Sequence, residues 1–201
     1  MKVIDNFKDD KYLFLMNDYP CSIIFEQEIY PSIEHAYQAA KTFDVYARDL
    51  IKNAKSVGAA RRLGRNVPLQ LNWDNNRVAV MKGFLDQKFS GSDELRVKLL
   101  NTGDAELVAG GDSFWGNTGY HGKNQLGKLL MELRSSLNEE ALAIISLAKN
   151  EYLKYFGWDR RPDGDNIFGE CWVLPPNVDC LYDVDSAVAV QTKLSTSVVR
   201  Q

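Results

Sequence analysis

The chain has 201 residues, 45% of them hydrophobic and 25% charged, which is ordinary for one folded domain with an extension and excludes a disordered or fibrous protein. No apolar run approaches the ~20 residues that span a bilayer, and the charged N-terminus is no signal peptide, so a cytoplasmic chain is expected. A formal charge of -3 argues against general affinity for nucleic acid, but it is unevenly spread. Residues 1–137 carry 18 basic and 17 acidic side chains, whereas 138–201 carry 6 and 10. With three cysteines, no CxxC and two histidines, neither a zinc site nor a disulfide framework is expected.

In chain order, Ser22–Phe25 and Glu28–Tyr30 are predicted strands around a Glu26-Gln27 turn. Ser32, after Pro31, is a good N-cap for a helix whose apolar residues Ile33, Ala36, Tyr37, Ala40, Phe43, Ala47 and Leu50 recur at helical spacing. A second helix is predicted over Ser56–Leu63, ended by Gly64, a third over Asp74–Phe89 and a fourth over Asp93–Leu100. Ala105–Val108 reads as a strand. Seven of the fourteen glycines fall between Gly103 and Gly127, where no regular element is expected. Helix resumes over Asn124–Leu137, and another amphipathic helix is predicted over Glu139–Phe156 through Leu142, Ile145, Ala148, Tyr152 and Tyr155. Gly157–Pro176 is rich in turn signals, and the polar tail from Asp183 should fray. The whole is read as α+β: mainly α-helical with a small β-sheet, as a domain over 1–137 and a C-terminal extension over 138–201.

Glu34, Gln38 and Lys41, at i, i+4 and i+7, share a helix face. They read either as a solvated polar face or as a carboxylate oriented in a cleft for acid, base or electrostatic work. His35 reads more readily as a packing residue, and His121 lies in the glycine loop. Arg61, Arg62 and Arg65 could clamp phosphate or cap a helix. Trp73 and Trp115 offer flat platforms for a base or, alternatively, core packing. Asn124 and Gly127 open a helix after glycines, a pattern that presents backbone N–H groups to an anion.

The blocks Tyr30–Lys41, Ala59–Arg65, Asn72-Trp73-Asp74, Phe114-Trp115-Gly116 and Asn124–Glu132, in that order, resemble the NADAR (YbiA-like) family from about Tyr12 to Leu137. The resemblance implies a YbiA-like fold and an N-glycosidase that cleaves the bond between ribose C1 and a base nitrogen. The implied substrates are ADP-ribosylated or phosphoribosylated: ADP-ribosyl-guanine in DNA, metabolites linked to NAD or ADP-ribose, or riboflavin-synthesis intermediates. By motif Glu34 takes the place of the family's glutamate, and Trp73 and Trp115 of its tryptophans. Glu34 is then the catalytic carboxylate, with Lys41 as a nearby proton donor. Asn17, His35, Gln38, Arg61, Arg65, Trp73, Trp115, Gly116, Asn124 and Gly127 are the expected substrate-binding residues.

No cofactor or metal is expected. The partner is a nucleotide-like small molecule or ADP-ribosylated nucleic acid, without a membrane. The chain departs from the family pattern at Asn17-Asp18, where Asn-Phe is usual, and at Ala109, where a glutamate is. A non-catalytic ADP-ribose or nucleotide-binding module is the competing reading. Trp158, Arg160, Arg161 and Trp172 lie outside the resemblance, the aromatics being expected to pack on the first domain.

Overall fold

The computed structural model describes residues 2–117 and 122–156. It is mixed, with six helices and two small sheets among those residues. The predicted hairpin forms as β2 (Ile23–Phe25) and β3 (Glu28–Tyr30), antiparallel, with Ile24 opposite Ile29. Glu26 and Gln27 both have positive φ, 51° and 65°, the backbone twist that a two-residue hairpin loop requires. The Ala105–Val108 segment forms β4 (Glu106–Leu107), parallel to β1 (Val3–Ile4), a strand too short to announce itself in the sequence.

Ser32 caps α1 (Ile33–Ala39), its hydroxyl accepting from the His35 N–H. The apolar period from Ile33 to Leu50 predicts one helix, but the chain makes two. Gln70 takes the carbonyls at which α1 ends, donating its side-chain amide to Ala40 and its backbone N–H to Lys41. Asp44 then accepts from the N–H groups of Tyr46 and Ala47 and starts α2 (Val45–Lys52). Phe43, counted in the apolar stripe, is left exposed in the break.

Gly64, expected to end the next helix, lies inside α3 (Val57–Arg65), which Asn66 closes. Helices α4 (Trp73–Ser90) and α5 (Asp93–Leu100) follow their predicted spans closely. Where the sequence predicts two helices about Leu137, one helix, α6, runs over Gln125–Phe156. Leu142 and Ile145, the start of the second predicted stripe, are exposed. The chain divides into two compact units, Met1–Ser135 and Ser136–Gln201. The core of the first joins Leu15, Ile23, Ile33, Ile51, Phe89, Leu99, Leu107 and Leu130, all fully buried. His121, Trp158, Arg160, Arg161 and Trp172 and the predicted turns and tail after Phe156 lie outside the described residues.

Candidate active site

The polar face of α1 is not solvated. Glu34 and Gln38 are each 7% exposed, so an acid and an amide sit in the interior one helical turn apart. Gln38 donates from Nε2 to Glu34 Oε1 at 2.8 Å. Arg61, on α3, closes on the same carboxylate as a fork: its Nε lies 3.0 Å from Oε1, and its Nη2 donates to Oε2 at 3.1 Å. A buried carboxylate needs such partners, and the bidentate guanidinium fixes its plane as well as its charge. The hydrogen bond and charge of Glu34 raise Arg61 above its ordinary value.

The backbone holds Glu34 too. Its N–H donates to the Asn17 carbonyl at 2.8 Å, and Asn17 Oδ1 is buried with no partner among the described residues. The segment carrying Asn17 is tied down from behind by Lys88 of α4, itself buried, which donates to the Met16 carbonyl at 2.8 Å. Lys88 Nζ also faces the Tyr19 ring, 5.2 Å from its centroid.

Tyr37 connects this cradle to an aromatic group. Its ring stands 5.2 Å from Trp73 and 5.5 Å from Trp115, the latter edge-on, and Lys41 Nζ lies 5.6 Å from its centroid. Burial raises the Tyr37 phenol well above its usual value. Lys41, half-buried just beyond α1, is lowered from its ordinary value chiefly by burial. The Glu34 charge opposes that shift, while Arg65, exposed at the end of α3, adds to it. Phe114 packs edge-on against Trp115, and Arg77 of α4 stacks its guanidinium 3.6 Å from the Phe114 centroid.

Of the residues predicted from sequence, the fold therefore gathers Glu34, Gln38 and Arg61, with Lys41 and Trp115 around them through Tyr37 and Arg65 felt by Lys41 through its charge. Trp73 is buried behind Tyr37 as packing, and Arg62 is exposed. His35 faces away from the carboxylate. Its Nδ1 is 2.8 Å from Ser32 Oγ and its Nε2 3.3 Å from the Ala54 carbonyl, so it braces the loop before α3.

Asn124 and Gly127, read as a helix start open to an anion, are packed against the loop that carries Trp115. The N–H groups of Gln125 and Leu126, the first two of α6, donate to the carbonyls of Phe114 and Trp115. Asn124 spends its side chain on backbone, accepting from the Ala109 N–H at 2.9 Å and donating to the Leu107 carbonyl at 2.8 Å. A Cβ at Gly127 would lie 2.0 Å from the Leu107 carbonyl oxygen, and one at Gly116 would lie 2.4 Å from that of Gly110. With Asp112 Oδ1 accepting from the Phe114 and Trp115 N–H groups, these residues lock the loop that carries Trp115.

Tyr37, Arg77 and Phe114 are the additions that sequence reading missed. Tyr37 was countable, since it lies three residues after Glu34 and four before Lys41; its apolar spacing hid it in the core stripe.

Known proteins bear on this geometry. The NADAR domain model matches residues 5–138. A riboflavin biosynthesis protein of Vibrio vulnificus (strain YJ016) is 40% identical over 138 residues, 66% of this chain; the chain spans 38% of that protein's length. The N-glycosidase YbiA of Shigella flexneri serotype 5b is 44% identical over 113 residues, 54% of this chain and 71% of its own. The NMR structure of the Escherichia coli protein YbiA superposes with a TM-score of 0.64 at 37% identity, over 70% of this chain and 88% of that one.

Proposed function

The chain belongs to the NADAR family, and from that premise we propose that it is an N-glycosidase, hydrolysing the bond between ribose C1 and a base nitrogen in a phosphoribosylated or ADP-ribosylated substrate. The observation that carries this is the interior carboxylate of Glu34, aimed by Arg61 and Gln38 rather than left in solvent. Several relatives carry the name N-glycosidase, and others are named riboflavin biosynthesis proteins, which supports the same reaction class.

As the C1–N bond breaks, its electron pair leaves with the nitrogen and positive charge builds on the sugar ring. A fixed carboxylate beside C1 stabilises that charge without reorganising, and can accept a proton from the water that adds to C1. Lys41 supplies the proton to the departing nitrogen. Burial lowers its hold on that proton, the direction that favours a donor. Trp115, braced edge-on by Tyr37, offers a face for the base, and the guanidinium of Arg65 offers charge for phosphate. A base leaves, a sugar hydroxyl remains, and one water is consumed.

The rival reading, a nucleotide-binding module, draws on the full engagement of Glu34, whose two oxygens already accept from Arg61 and Gln38. A panel of NAD, ADP-ribose, ADP-ribosylated guanine in DNA and a phosphoribosylaminopyrimidine separates the two. Mass spectrometry should detect free base and sugar from at least one member, lost in Glu34→Gln while binding persists. Tight binding without release from any member would install the module instead.

A further inference from the structure

We infer that Gly64 is a positioning residue for Glu34, setting the gap between α3 and α1 in which the Gln38 amide lies; the inference rests on the proposed hydrolytic role of Glu34. Arg61 and Gly64 stand three residues apart on α3 and so share the face turned to α1. Arg61 reaches the carboxylate directly, and Gly64 covers the side chain that shares Glu34 Oε1 with it. A Cβ at position 64 would fall 2.1 Å from Gln38 Oε1, 2.9 Å from its Cδ and 2.8 Å from its Cβ.

The last distance matters most. The amide end of a glutamine can swing aside, but its Cβ is fixed to the helix, so relief at position 64 requires α1 and α3 to separate. Separation would pull the Arg61 fork from the carboxylate, and swinging would pull away the Gln38 donor. Gln38 Oε1 itself is buried under α3 with no hydrogen-bond partner among the described residues. Leaving an acceptor unsatisfied is costly, and the arrangement makes sense as what holds Nε2 on Glu34. Gly64 is thus required for a close approach and not, as its sequence context suggests, for ending a helix.

The test compares Gly64→Ala, Gln38→Gly and the double variant on the panel of N-ribosyl compounds above. Gly83→Ala is the control, because a Cβ there meets nothing within 4 Å among the described residues. Gly64→Ala should lower kcat about tenfold to a hundredfold and leave KM within about threefold, as a misaimed but present carboxylate would. In the Gln38→Gly background the same change should cost kcat less than about threefold, since no Cβ remains at position 38 to clash. A kcat within about twofold of wild type, a loss carried by KM, or equal losses in both backgrounds would overturn the inference.

Should Gly64→Ala fail to fold, the double variant must fold; if it too fails, the clash lies elsewhere and the inference falls. Nitrogen-15 NMR of the Arg61 Nε–H and Gln38 side-chain amide keeps the two claims apart. A wild type inactive on every compound defeats the hydrolase reading alone. Resonances unchanged by Gly64→Ala would defeat the positioning role alone.

Discussion

Two of the buried polar clusters among the described residues, those of Asn124 and Glu34, are finished differently. Around Asn124 every side-chain group is spent on backbone: the amide joins the ends of the Leu107–Ala109 segment, and loop carbonyls take the first two N–H groups of α6. Around Glu34 the partners converge on a side chain, and the carboxylate they aim is the chemically useful group. A cluster closed on backbone builds structure; a cluster focused on an ionisable side chain builds a site. The first nevertheless serves the second, by fixing the loop from which Trp115 reaches Tyr37.

The comparison is broken most directly at its two centres. Glu34→Gln should reduce turnover by about a thousandfold or more, roughly 4 kcal/mol of barrier, while calorimetric binding of substrate persists. Asn124→Ala should show the converse. It leaves the Ala109 N–H and Leu107 carbonyl unsatisfied in the interior, so urea denaturation should register a loss of about 4 kcal/mol. Weakened phosphate binding at unchanged stability would instead mean that Asn124 belongs to the site.

Lys88 sharpens the contrast, because it is a buried charge that aims nothing at substrate yet anchors the segment holding Glu34. Burial pushes its ammonium down from 10.5 to about 8. Below pH 8 both folded and unfolded chains hold this proton, and the folded state bears the full cost of burying it. Between pH 8 and 10.5 the unfolded chain binds more proton, so this group's contribution to stability rises with pH, by up to about 3 kcal/mol. Tyr30, Tyr37 and Cys21, raised by burial, act in the opposite sense at high pH. The prediction therefore concerns the difference between wild type and Lys88→Met, which should move in favour of wild type as pH rises across that window in urea titrations.

The smallest expected effect concerns Lys41. Arg65 helps hold its titration down, so Arg65→Ala should move the alkaline limb of the kcat profile to higher pH, if Lys41 must be protonated to act. An unmoved limb would take the donor role away from Lys41.

Much of this was legible in the residues. Ser32 and Asp93 mark their helices through local capping and charge, and the blocks around Glu34, Trp73 and Trp115 identify the family because they occur in fixed order. Spacing put Glu34 and Gln38 on one face, since a helix obeys its period wherever it lies. Burial was not legible: the same period describes a wet face and a sealed one, and only α3 lying across α1 makes this one sealed. Nor was the fate of a polar group. Asn124 beside glycines carries equal signals for an anion site and for a backbone brace, and the carbonyls of a distant loop decided it. Gly64 reads as a helix end until a glutamine from another helix is found beneath it. Local sequence sets dihedral preference, periodicity and caps, which act over a few residues. Which partner each polar group finds depends on chain segments brought together from far apart, and that is where the tertiary structure alone decided.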